Sequence, residues 1–440
     1  MAGPLVQALG RVVKVRPDEI RAMLWAFVYF FCLLSSYYIL RPLRDESGVA
    51  AGVGNLQWLF TGTFFVMLAV APLFGALVMR VPRRQFIPLV YHFFAASLLL
   101  FFALGHLAPK QAYVAGAFFM WVSVFNLFVV TVFWGFMADL FSNEQGKRLF
   151  GFIAAGGSAG ALVGPSLTAL LAVPLGPLNL LLISAFLLEC AVLCVRQILG
   201  TSQAQKPAES HGAQTANEEV IGGGILAGLT EIVRSPFLML ICCHVLLLSL
   251  TSTFLYFQQA SIVSAAFSNP AERTQFFALI DLTVGLLTIA LQLSVTGRVL
   301  VGLGIGAALA SLALVTMAGF LALALFPVLA VLVVFQALKR ATEFAFANPA
   351  RETLFTVVTR EQKYKAKSVI DTAVFRGGDA VNGWIYKGLG SLGLDLSGIA
   401  LVAVPISAGW AGLLLLLGRK QEQRALTQPA EQTTQAGARS

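Results

Sequence analysis

Charged side chains are scarce in this chain: Asp, Glu, Lys and Arg make up 12% of its 440 residues. Soluble chains carry roughly 25%, so a water-solvated globular domain is excluded. No phosphate-cradling G-x-x-x-x-G-K-[ST] loop occurs, which speaks against pumping driven by nucleotide hydrolysis. Cysteine is sparse as well. Its five positions (Cys32, Cys190, Cys194, Cys242, Cys243) all fall inside apolar runs, with no spacing suited to a metal set or an extracellular disulfide, and they read as small packing residues. His92 and His244 have no ligand partner at metal spacing, so each is expected to make a helix-packing hydrogen bond. Gly156 to Gly160 reads GGSAG, formally G-x-S-x-G. A serine nucleophile on that motif needs a strand-to-helix turn, whereas these residues lie in a glycine-rich apolar run. Neither an enzyme, a metal site nor a cofactor is expected.

What the chain has in plenty is apolar length: 58% of residues are hydrophobic, and the mean hydropathy is +0.81. Runs of 18 residues or more, enough to cross a ~30 Å hydrocarbon slab, recur along the whole sequence. The expected class is all-α, a polytopic membrane protein of about 12 transmembrane helices in two six-helix halves. The spans fall roughly at 21–46, 55–79, 86–106, 111–138, 149–172, 178–199, 236–262, 275–296, 299–322, 327–350, 368–390 and 397–417. The run at 22–40 follows basic residues as a signal peptide would, but it is long for one and leads into further spans, so it is taken as a helix.

The expected domains are an N-terminal six-helix half (1–199), a cytoplasmic linker (200–235), a C-terminal six-helix half (236–418) and a disordered cytoplasmic tail (419–440). The first part of the linker, TSQAQKPAESHGAQTANEE, is polar and lacks aromatics, whereas ILAGLTEIVRSP suits a short amphipathic helix along the membrane face. Of the 30 Lys and Arg, 21 fall on the side of the termini, 5 on the opposite side and 4 inside spans. The positive-inside rule therefore places both termini in the cytoplasm of a bacterial inner membrane. The net charge of +9 is a topology signal, and no nucleic-acid partner is expected.

Between spans two and three the chain reads GALVMRVPRR. Gly75, Leu77, Arg80, Arg83 and Arg84 fall on the pattern G-x-L-x-D-R-x-G-R-R, with Met79 and Pro82 departing from it. In span five Gly156, Gly160 and Gly164 repeat every fourth residue and Pro165 follows, a stripe that lets a second helix approach backbone to backbone. Both patterns resemble signatures of the major facilitator superfamily. The resemblance implies two halves that rock about a midplane site, with these residues in gating and packing roles.

The charges inside the slab carry the functional reading. Leu332 to Glu352 reads LVVFQALKRATEFAFANPARE. A helix starting near Pro327 puts Lys339 about 12 residues in, roughly 18 Å along the axis and close to mid-membrane. A cation at that depth costs at least ~2.5 kcal/mol, so Lys339 and Arg340 are expected to face protein or water. Arg340 and Arg351 return to nearly the same face, with Glu343 between them and Asn348 nearby. The cationic stripe would take an anionic solute. Alternatively, Lys339 and Glu343 neutralise each other and only hold helices together, which leaves Arg340 and Arg351 over. Span eleven adds Asp371, Arg376 and Asp379, the last two a natural i,i+3 pair. Near the end of span one, Arg41 and Arg44 either draw anions into the cavity mouth or form an interfacial cluster that ends the helix at Pro42. Glu189 and Asp281 are candidate proton-coupling carboxylates; the alternative for each is a buried neutral or paired group.

Two stretches are similar to the bacterial and plastid ATP/ADP translocases. Ile39, Leu40, Arg41, Arg44 and Asp45 fall on the I-L-R-D-x-K-D end of that family's first helix, with Arg44 in place of its lysine. Lys363, Lys365, Lys367, Ile370, Asp371, Arg376, Gly378, Trp384 and Ile385 fall in register on its late-helix motif. Asp379 stands where the family carries a lysine implicated in substrate binding. The resemblance implies a monomeric antiporter that moves an anionic solute, nucleotides and other phosphorylated solutes included, by alternating access. Two other readings share the scaffold: a proton-coupled exporter of amphiphilic compounds using Asp281 or Glu189, and a non-transporting sensor or assembly factor.

Overall fold

The computed structural model describes residues 16, 19–80, 83–107, 111–204, 225–359, 362, 366–367 and 369–437. Side chains are described except at 75–79, 83–84, 143, 201–204, 225–229 and 428–437. The polar part of the linker (205–224), Lys363 and Lys365 therefore lie outside the described residues, as do the side chains of Gly75, Arg83 and Arg84.

Every regular element among the described residues is helical. The long helices of the first part are α1 (Ile20–Ala50), α2 (Leu56–Arg80), α3 (Arg83–Leu107), α4 (Ala112–Leu140), α5 (Asn143–Leu175) and α6 (Leu180–Ala204). A short helix, α7 (Ile225–Arg234), leads into α8 (Pro236–Ala266) and α9 (Pro270–Ser294). Next come α10 (Thr296–Gly302) and α11 (Gly304–Leu325), separated where Gly304 takes φ +81°, a backbone region that favours glycine. The last are α12 (Leu329–Thr342), α13 (Asn348–Leu354), α14 (Phe375–Ser391) and α15 (Leu396–Gly437).

Ten of these helices are long and apolar enough to cross a bilayer. The two remaining expected spans run at 329–354 and 370–391, and they hold Lys339, Arg340, Glu343, Arg351, Asp371, Arg376 and Asp379. Each contains a π-turn, Glu343–Ala347 between α12 and α13 and Ile370–Val374 before α14. Pro349, in the first turn of α13, has no N–H to return to the preceding turn. π-turns are rare and collect at functional sites.

Contacts divide the chain into two compact units. The first takes Met1–Val53, Phe65–Ala216 and Phe267–Leu282; the second takes Gly54–Phe64, Asn217–Ala266 and Thr283–Ser440. The start of α2 thus belongs to the second unit and the first half of α9 to the first.

In the first unit, α5 lies backbone to backbone on α1. A Cβ on Gly156 would sit 2.4 Å from the Phe27 carbonyl oxygen, and one on Gly160 would sit 2.6 Å from that of Phe31. Gly164 is closed in the same way by Tyr38 and the Ser35 carbonyl. Ser36 on α1 and Ser184 on α6 share a buried hydroxyl hydrogen bond of 2.7 Å. At its N-terminal end α1 is clamped by the buried Glu19. Its carboxylate accepts from Arg148 at 2.9 and 3.1 Å and from Gln145 at 3.0 Å. Gln145 also closes a capping box with Ser142 at the start of α5. Burial raises the Glu19 carboxyl, but Arg148, the Arg16 amide and Gln145 outweigh it and bring it down to about 2.

Pro42 does not end the first helix. α1 runs through it to Ala50, because the charged residues that follow find partners inside the protein. In the second unit the core gathers Ile241, Val245, Leu309, Ala313, Trp410 and Leu414, all fully buried. The two histidines read as packing groups do bond between helices. Trp410 Nε1 donates to His244 Nδ1 at 3.0 Å, and His92 Nδ1 lies 2.9 Å from Glu189 Oε1.

Candidate solute-binding site

In the second unit one polar turn of α8 receives two of the intramembrane charges, Lys339 and Asp379. Lys339, 2% exposed, reaches out from α12, and its Nζ donates to Ser252 Oγ at 2.9 Å. One residue on, Thr253 Oγ1 donates to Asp379 Oδ1 at 3.5 Å; one turn earlier, Ser249 Oγ donates to the same oxygen at 2.7 Å. Asn382 Nδ2 donates to Ser249 Oγ at 3.1 Å, so α14 and α12 are both pinned to that turn. Close approach is possible because Gly378 faces Ser249: a Cβ there would lie 3.0 Å from its hydroxyl. The chain had a legible signal for this turn. Ser249, Thr251, Ser252 and Thr253 interrupt an otherwise apolar run, but hydroxyls are common in membrane helices and their partners lie more than 80 residues away. The buried amide pair of Gln336 on α12 and Gln259 on α8 went unread for the same reason.

The charges pair, but loosely. Lys339 Nζ and Glu343 Oε2 are 3.7 Å apart, Arg376 Nη1 and Asp379 Oδ2 3.5 Å, and Arg351 Nη1 and Asp371 Oδ1 3.8 Å. Most N–H···O bonds span 2.7–3.2 Å, so these are ion pairs rather than charge-assisted hydrogen bonds. Arg351 is therefore not left over after the Lys339–Glu343 pairing. Asp371, 20 residues further along the chain, faces it, and sequence spacing could not show that. Its Nε is buried and has no hydrogen-bond partner among the described residues. The groups are not sealed off: the side chains of Glu343, Arg351, Arg376 and Asp371 are 22%, 21%, 31% and 34% exposed. Glu343 and Asp371 each sit on one of the two π-turns. Arg340 and Asn348 lie on the same charged stretch and are half-buried.

The other predicted residues fall in the first unit. Arg41 Nε lies 3.6 Å from Asp281 Oδ2. Arg44 donates from Nε to Ser123 Oγ at 3.2 Å, stands 3.3 Å from Asp45, and lies over the Phe119 ring at 4.0 Å. Glu46 accepts from Arg273 Nη2 at 2.7 Å. Arg41, Arg44 and Glu46 thus pair inside the protein. Glu189 stands apart from all of these, with His92 between α3 and α6. Gly156, Gly160, Gly164 and Pro165 line α5, and Arg80 is exposed at the end of α2. No cluster of three or more His, Cys, Asp or Glu suited to a metal ion occurs among the described residues.

An all-helical polytopic membrane protein with loosely paired charges on two π-broken helices has the plan of a solute transporter. A family profile described as Major Facilitator Superfamily matches residues 22–378, and the chain belongs to that superfamily. ADP,ATP carrier protein 1 of Chlamydia trachomatis serovar D is 23% identical, with 90% of this chain and 88% of that protein covered. The protein of the same name from Chlamydia muridarum is also 23% identical, over 85% of this chain and 83% of its own length. Among solved structures, a POT family transporter in complex with 5-aminolevulinic acid aligns with a TM-score of 0.62 at 11% identity, covering 91% of this chain and 96% of that one. The nucleoside transporter NupG aligns at 0.55 and 13% identity, over 93% and 99%. These two show a shared fold.

Proposed function

We propose that this protein is an alternating-access secondary transporter that binds a solute through an anionic group. The reading rests on one observation: Lys339, Arg351 and Arg376 have carboxylate partners at 3.5–3.8 Å, with several of these side chains partly open. At that separation and an effective dielectric near 20, the gross attraction is about 4 kcal/mol per pair. Desolvation offsets much of it. A solute anion that approaches a guanidinium to hydrogen-bonding distance can therefore take a carboxylate's place. Partly open charges inside a hydrocarbon slab are tolerated only where water reaches them, so the open edges of Asp371 and Arg376 mark the solute's route.

Exchange of nucleotides is the activity that the names of the Chlamydia relatives carry. Arg41, Asp371 and Arg376 keep that pattern, Arg44 keeps the charge of its lysine, and Asp379 in place of a second lysine breaks it. Antiport, a monomeric state and an inner-membrane location with cytoplasmic termini complete the reading. The test is uptake into proteoliposomes loaded with unlabelled nucleotide or organic anions. Exchange of a labelled anion that falls at least tenfold in Arg340→Ala and in Arg351→Ala supports the site, and unchanged uptake in both removes it.

A further inference from the structure

We infer that the transported solute is zwitterionic, bearing an amine as well as its carboxylate or phosphate. The inference rests on the anion-binding reading above and narrows it. In the second unit Lys339, Arg340, Arg351, Lys367 and Arg376 stand against Glu343, Glu352, Asp371 and Asp379, a balance of +1 in which Lys367 beside Asp371 is taken up by Glu352. A nucleotide, a polyanion, bound at Arg351 turns this balance negative and sets like charge against Asp371. An amino carboxylate leaves the balance unchanged, and an amino phosphate monoester lowers it by at most about one charge.

The Arg351–Asp371 pair shows where its two heads go. The partners are 3.8 Å apart, too far for hydrogen bonding, and neither side chain makes a hydrogen bond to any other described residue. Both are partly open, Asp371 most of all. Insertion of a solute anion at Arg351 and a solute ammonium at Asp371 replaces one stretched contact with two short charge-assisted hydrogen bonds, each roughly twice as strong as a neutral one. A polyanion can satisfy only the arginine and leaves Asp371 facing like charge. The carboxylate of Asp379 is held by Ser249, Thr253 and Arg376 and keeps Arg376 partly neutralised when the site is empty.

The test uses the purified full chain in detergent and matched ligands that differ only by the amine: β-alanine against propionate, phosphoethanolamine against ethyl phosphate, with ATP and ADP alongside. Ligand-dependent thermal shifts are measured for wild type, Arg351→Gln, Asp371→Asn and Asp371→Ser, each first checked for a single gel-filtration peak. The expected result is that at least one zwitterion binds tenfold more tightly than its amine-free counterpart. Both Asp371 variants then erase that advantage while keeping the anion, and Arg351→Gln loses both. The inference is overturned if the nucleotides give the larger shifts or if no zwitterion outperforms its counterpart. Nucleotide shifts that vanish in Arg351→Gln overturn it and leave the anion reading standing. Shifts that are the same in Arg351→Gln as in wild type remove the anion reading itself.

Discussion

Arg351 and Asp371 face each other at 3.8 Å and tie α13 to the π-turn that precedes α14. The contact joins two stretches outside the ten long apolar helices, and it is too long to be a structural hydrogen bond. A partly exposed pair of this kind contributes ~0–1 kcal/mol to stability. Arg351→Gln is therefore expected to leave the unfolding temperature in detergent nearly unchanged while reducing solute uptake at least tenfold. A variant that melts early and transports in proportion to its folded fraction would make the pair a structural one.

Lys339 separates the binding reading from the alternative in which charges only hold helices together. It is buried, bonded to Ser252, and 3.7 Å from Glu343. Replacing a buried ion pair with apolar groups of similar size is often neutral or stabilising by ~1–4 kcal/mol. The double variant Lys339→Met, Glu343→Leu is expected to be at least as stable as wild type and to lose transport. Transport that persists in it would assign the pair to packing.

The glycine stripe of α5 sets a third expectation. A Cβ at Gly156 or Gly160 meets a carbonyl oxygen of α1 at 2.4 or 2.6 Å, whereas one at Gly151 meets nothing within 4 Å. Backbone cannot give way as a side-chain tip can, so Gly156→Ala and Gly160→Ala should each destabilise by ~1–3 kcal/mol. Gly151→Ala lies in the same helix and should be neutral or stabilising by up to ~1 kcal/mol. Urea-induced unfolding in mild detergent, followed by tryptophan fluorescence, reads the difference.

The Glu19 clamp gives a pH dependence with a fixed sign. Its folded-state value, about 2, lies below the ordinary 4.5 of an unfolded glutamate. The stabilisation it supplies is complete above about 4.5 and disappears as pH falls through about 2. The melting-temperature gap between wild type and Glu19→Gln should be constant from pH 7 to 5 and close between pH 4.5 and 2. A gap that persists at pH 2 would mean that the carboxylate's charge is not what holds α1 to Arg148.

The fold was legible because membrane helices leave a one-dimensional trace. A run of 18 apolar residues has few other fates, and ten of the twelve expected spans meet that criterion. The remaining two were legible through the charges that break them. Pairings along one helix could also be read, since Arg376–Asp379 and Lys339–Glu343 follow helical spacing. Pairings between distant segments could not. Nothing in the chain joins Arg351 to Asp371, Arg41 to Asp281 or Lys339 to Ser252 until the helices are packed. The π-turns were equally hidden, because one extra residue in a turn alters no composition. Of the two alternatives open at Pro42, the helix-ending one is set aside: α1 follows the expected span past the proline and runs to Ala50.

The claim on which the account turns is that the charged edge of the two π-broken helices is open to water. Asp371→Cys, in a background with the five native cysteines replaced, should react with a membrane-impermeant thiol reagent in native protein, and a bound solute should slow that reaction. A thiol at 371 that stays unmodified until the protein is denatured would contradict the account.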